Sequence, residues 1–133
     1  MRDYARLQTS ILLRRFAFQV NRTARNTDAD AVHDLRVSIR RLSQCLRIFA
    51  DFYPGQGGKK LRRLMSDLMN AAAAVRDHDI ALALATESGA SPKSAVCQSL
   101  ETERRQAAHR LTLKARRWNA KDFSRKWRAR LEL

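Results

Sequence analysis

Residues that break helices are scarce in this chain of 133, which has four glycines and two prolines. That scarcity excludes collagen-like and Pro/Gly-rich disordered composition. Cysteine is nearly absent too: Cys45 and Cys97 make no Cys-x-x-Cys pair and no disulfide framework, so the expected setting is the reducing cytoplasm. No long apolar run occurs. The N-terminal stretch MRDYARLQTSILLRRFAF is cut at Arg14 and Arg15 and has no small-residue cleavage site, which argues against a membrane span and a secretion signal. Acidic residues are the last shortage, 13 against 27 basic ones, for a net charge of +14. Of the basic residues 21 are arginine, whose planar fork pairs bidentately with phosphate and carboxylate, so a polyanionic partner is expected.

What is present is helical periodicity. Apolar residues recur at three and four, the alternation of strands is missing, and the length suits one domain spanning 1–133. The expectation is an all-α antiparallel bundle of four to five helices, over roughly 3–25, 30–52, 59–88, 92–118 and 120–131. In the first helix Leu7, Ile11 and Phe18 fall on one side and Leu12, Phe16 and Val20 on another, which predicts packing against two neighbours. NTDAD supplies caps for the second, YPGQGG ends it, and SGASPKS separates the third from a fourth helix with Ser91 as cap and Pro92 at the first helical position. The last stretch, KDFSRKWRARL, reads as a short helix cut off by the end of the chain.

The second helix combines two patterns. Val32, Leu35, Ile39, Leu42, Leu46 and Phe49 share one arc at about 100° per residue and form a core face. His33, Arg36, Arg40 and Arg47 gather on the opposite arc, stacked over roughly 20 Å. Like charges at this spacing repel by a few tenths of a kcal/mol per pair unless an anion fills the row. A merely solvated basic face remains the alternative at this level.

VHDLRVSIRRLSQCLRIF, followed by VRDHDIAL, resembles the signature of the CHAD family, the conserved-histidine α-helical domains. The matching positions are His33, Arg36, Arg40 and Arg41, then Arg76, Asp77, Asp79 and Ile80. The resemblance implies one half of a fold made of two four-helix halves around a basic channel, polyphosphate as partner, and association with polyphosphate granules. It marks His33, Arg36, Arg40, Arg41 and Arg76 as polyphosphate-binding, to which the helical wheel adds Arg47, and Lys59, Lys60, Arg62 and Arg63 at the start of the third helix offer further positive charge, with Lys59, Lys60 and Arg63 as donors. Alanines at 72 and 73 replace a usual Leu-Gly, and Ser66 and Asn70 stand where relatives are often basic, so the third helix is expected to contribute less.

Other chemistry finds little footing. Asp77 and Asp79 in RDHD diverge on a helix and read as structural, pairing Arg76 or an arginine of the second helix. His33 and His78 have no partner at metal-ligand spacing, and His109 reads as exposed. PGQGGKK lacks the spacing of a P-loop, no nucleophile has a partner, and no carboxylate cluster would hold a catalytic metal. Hence no enzyme, no metal and no cofactor are expected. Nucleic acid is the alternative polyanion, disfavoured because Phe16, Phe18 and Phe49 read as core and leave nothing for bases to stack on. Phe123, Trp127 and Leu131 make a stripe on the last helix that packs on its own bundle, pairs with another chain as in a homodimer, or lies on an anionic membrane surface, and a structural half-domain that needs a partner chain is the further alternative.

Overall fold

The computed structural model describes residues 1–133 and is all-helical. Its helices are α1 (Arg2–Thr23), α2 (Ala29–Ile48), α3 (Gly57–Glu87), α4 (Ala95–Ala120) and α5 (Phe123–Arg130), with a single 3-10 turn at Ala50–Phe52 after α2. The first four close into a ring in which α1 packs on α2, α2 on α3, α3 on α4 and α4 back on α1; α5 lies across α1 and α4. Side-chain pairs fix the antiparallel sense. Arg22 at the end of α1 meets Asp34 near the start of α2, and along α3 and α4 the pairs Asp67–Lys114 and Asp79–Arg104 run in opposite directions.

The caps explain the boundaries. Asp28 accepts from the Ala31 N–H at 2.8 Å and opens α2. This backbone hydrogen bond, aided by Asn26, holds the Asp28 carboxyl below its ordinary range. At the end of α3, Gly89 takes a left-handed φ of 87°. The amides of Gly89 and Ala90 then reach back to Thr86 and Ala85, closing the orphan carbonyls. The fourth helix starts later than the sequence suggested. Ser91 and Ser94 span a turn, and it is Ser94 that caps α4 by accepting from Cys97 N–H. Pro92 therefore lies in the turn rather than in the helix.

On α2, Val32, Leu35, Ile39, Leu42 and Leu46 are all buried, while Phe49 is half-buried past the helix end. They join Leu13, Phe16 and Val20 of α1, Leu61, Met65 and Leu68 of α3, and Leu111 of α4 in one core. Each such side chain contributes about 1.5–3 kcal/mol of transfer free energy. One polar knot lies within it: Tyr53 and Thr9 hydrogen-bond each other, the hydroxyl that does not donate in that pair donates to Ala5 O, which both can reach, and Cys45 sits 3.4 Å from Thr9. That knot ties the chain after α2 to the start of α1.

The stripe on α5 packs inward. Phe123, Trp127 and Leu131 are buried, and Phe123 stacks edge-on with Trp118 and Phe16 at 4.9 and 5.4 Å. Arg128 donates to Ser10 Oγ at 2.7 Å and fastens α5 to α1. The stripe is spent on the bundle's own core. The first helix differs from expectation in the other direction. Phe16 is fully buried, but Phe18 is 64% exposed, as are Leu7 at 57% and Tyr4 at 54%.

Candidate anion-binding groove

His33, Arg36, Arg40 and Arg47 of α2 do not stand opposite its core face; at 100° per residue they lie on its flank towards α3, where His33 meets Arg76. His33 and Arg76 line one cleft of about 240 Å³, together with Val32, Asp79, Ile80 and Ala83. Arg36, one turn further on, is half-buried. Burial pushes its guanidinium below the usual arginine range, and the charges of Arg76 and then Arg40 push it the same way, with Asp77 opposing. Arginine stays protonated under any such shift of ordinary size. Arg36 is therefore a fixed positive charge held partly out of water and crowded by two others.

Register extends the groove. Arg47 follows His33 by fourteen residues and Arg62 precedes Arg76 by fourteen, so the antiparallel register that sets His33 beside Arg76 sets Arg47 opposite Arg62. Fourteen residues of helix span about 21 Å. Both walls thus begin and end in a basic residue. Between them, by the same register, Arg36 and Arg40 face the small and apolar stretch of α3 around Met69 and Ala73, where Asp77 is the charge that opposes the crowding of Arg36. The Nε atoms of Arg36 and Arg62 are covered from solvent and have no hydrogen-bond partner. Two buried donors without acceptors, at two points along one groove, are costly as they stand and would be relieved by an acceptor-rich anion.

Several residues fall elsewhere. Arg41 lies on the other flank of α2 and lines the cleft between α1 and α2 with Arg14 and Arg15. Lys60 falls on the α4 side of α3 by helical periodicity, and Lys59 and Arg63 are exposed at angles turned out from the core arc. Arg62 is the member of that basic cluster which points towards α2. His33, Arg40, Arg47 and Arg76 are exposed along the groove.

The RDHD segment links helices. Asp79 accepts from Arg104 Nε at 2.6 Å, and Arg104 also donates to Thr27 O at 2.8 Å. His78 bridges Ala74 O and Glu103. The sequence reading expected Asp79 to pair Arg76 or an arginine of α2; its partner is on α4, 25 residues away, a distance no local pattern reveals. Asp77 joins no ion pair; its charge is the smallest influence on Arg36 and the one that opposes the others. His109 is exposed.

A four-helix ring with a docked fifth helix and an arginine-walled groove between two of its members is an all-α basic bundle. The model of one protein family, described as CHAD domain, matches residues 10–133, and the chain belongs to that family, one associated with polyphosphate binding. No curated protein and no solved structure matches the chain. No helix is long and apolar enough to cross a membrane.

Proposed function

We propose that the chain binds inorganic polyphosphate along the α2–α3 groove, with His33, Arg36, Arg40 and Arg47 on one wall and Arg62 and Arg76 on the other. The observation that carries the reading is Arg36, a half-buried cation crowded by two others whose Nε lacks an acceptor. A linear polymer of phosphates supplies repeated acceptors and charge along the groove's length. A neutral ligand would leave the repulsion in place. The protein holds the polymer and does not cleave it: Asp79 is taken up by Arg104 as a positioning group, which leaves Asp77 alone and no carboxylate pair to hold a catalytic metal. Cytoplasmic polyphosphate granules are where such a module would work.

The test compares long-chain polyphosphate with single-stranded RNA of equal charge at several salt concentrations. Polyphosphate should bind more tightly at every salt. Equal affinities with equal slopes would reduce the groove to diffuse charge. Incubation with polyphosphate and magnesium should release no orthophosphate above a blank; turnover lost in Asp77→Asn or Asp79→Asn would make the protein an enzyme.

A further inference from the structure

The solvent-facing side of α1 is apolar where a surface helix should be polar. Tyr4, Leu7 and Phe18 are more than half exposed and Ile11 is half-buried, and at 100° per residue all four fall within one narrow arc, directly across from buried Ala5, Thr9, Leu13 and Phe16. The stripe is about 21 Å long. Beside it a cleft of about 370 Å³ opens between α1 and α2, floored by Leu12, Phe18 and Val37 and rimmed by Arg14, Arg15 and Arg41. None of these three arginines joins an ion pair. The one acid in the cleft, Asp34, is taken by Arg22 at 2.6 Å.

We propose that this face docks an acidic amphipathic helix of a partner protein, which lays its apolar side along Tyr4, Leu7, Ile11 and Phe18 and sets carboxylates against Arg14, Arg15 and Arg41. A row of apolar residues at helical spacing beside a cleft is the receptor half of helix-in-groove recognition. Charge selects the occupant. A second copy would bring Arg14 and Arg15 of a +14 chain against another +14 chain, so self-pairing is opposed, while an acidic helix neutralises the rim. Tyr4 and Phe18 could each stack a base, but the aliphatic pair Leu7 and Ile11 between them interrupts the run of aromatics that a single-strand binder uses. The face lies across α2 from the polyphosphate groove, so the proposal stands or falls apart from that reading.

The probe is a fluorescein-labelled 18-residue helical peptide with leucines along one face and glutamates along the rest. Its controls are a glutamate-only peptide of equal charge and phosphatidylglycerol vesicles. The amphipathic peptide should bind full-length protein at least tenfold more tightly than the glutamate-only one. Leu7→Ser and Phe18→Ser should each remove that advantage while polyphosphate affinity changes less than twofold. Both residues are exposed, and an unchanged circular dichroism melt verifies the fold. Arg36→Ala should leave the peptide's advantage intact. Equal binding of the two peptides, or no loss in the serine variants, would overturn the proposal. So would a protein dimer dissolved by Phe18→Ser, which makes a second copy the occupant, or vesicle binding abolished by the same variants in the absence of peptide discrimination.

Discussion

Arg36 concentrates the tension in this molecule: it is drawn partly out of water by the packing of α2 on α3 and then placed beside Arg76 and Arg40. Replacing it should relieve repulsion and remove a phosphate contact at once. Arg36→Ala is therefore expected to weaken polyphosphate binding and to flatten the plot of log K against log salt by about 0.7 for the lost contact, without lowering the melting temperature. Arg41→Ala, on the other flank of α2, should leave that slope nearly unchanged; equal losses from both would mean that no groove is selected. Spacing in the sequence was enough to gather His33, Arg36, Arg40 and Arg47, because one helix decides their common face. Which basic residue of the third helix joins them was not legible, since Lys59, Lys60, Arg62 and Arg63 are consecutive or nearly so, and only the register against α2 picks out Arg62. Arg104 escaped for a plainer reason: nothing near it in the chain announces a carboxylate on another helix.

Among the elements, α2 and α5 show how periodicity succeeds and where it stops. The core arc of α2 was readable residue by residue, and so was the apolar triplet of α5, yet a triplet flanked by basic residues suits a core and an interface equally. The Phe16–Trp118–Phe123 cluster decides for the core, and those aromatics come from three different helices. Trp127→Ala should accordingly destabilise the fold by about 3–5 kcal/mol, as truncation of a buried aromatic does, measured by urea denaturation. A cost near zero would put α5 outside the core. At the start of α4 the sequence pointed to Ser91 as the cap, and the structure uses Ser94 instead. Ser94→Ala should cost about 1 kcal/mol through the lost cap, and Ser91→Ala clearly less. The α1 surface shows the limit of the method: two apolar arcs on one helix were visible, but periodicity cannot say that only one of them has a neighbour.

For the molecule as a whole, charge and pH act through a few named groups. The knot of Tyr53, Thr9 and Cys45 resists alkali: burial raises the Tyr53 phenol and the Cys45 thiol above their ordinary values, so both stay neutral in the fold. Their contribution is complete below the unfolded pKa and lost as pH rises through the folded one. Asp28 works at the other end, since its lowered pKa gives a contribution present above the unfolded value and lost as pH falls through the folded one. Asp28→Asn should thus flatten the acid limb of a stability profile, while Tyr53→Phe flattens the alkaline limb; unchanged limbs in both would detach these groups from folding.

Between those limits the net charge of +14 is the dominant global cost, and salt separates it from binding. Without ligand, added sodium chloride screens self-repulsion, so the melting temperature should rise with salt. With polyphosphate at a hundred times its Kd, mass action adds about 2.7 kcal/mol, which for a domain of this size is roughly 10 °C. That gain depends on released counterions and must shrink as salt rises. The two melting curves, plotted against salt, should therefore start well apart and converge from opposite slopes. Parallel curves would mean that polyphosphate only screens the surface, whereas convergence that disappears in the Arg36→Ala and Arg40→Ala pair places the effect in the groove between α2 and α3.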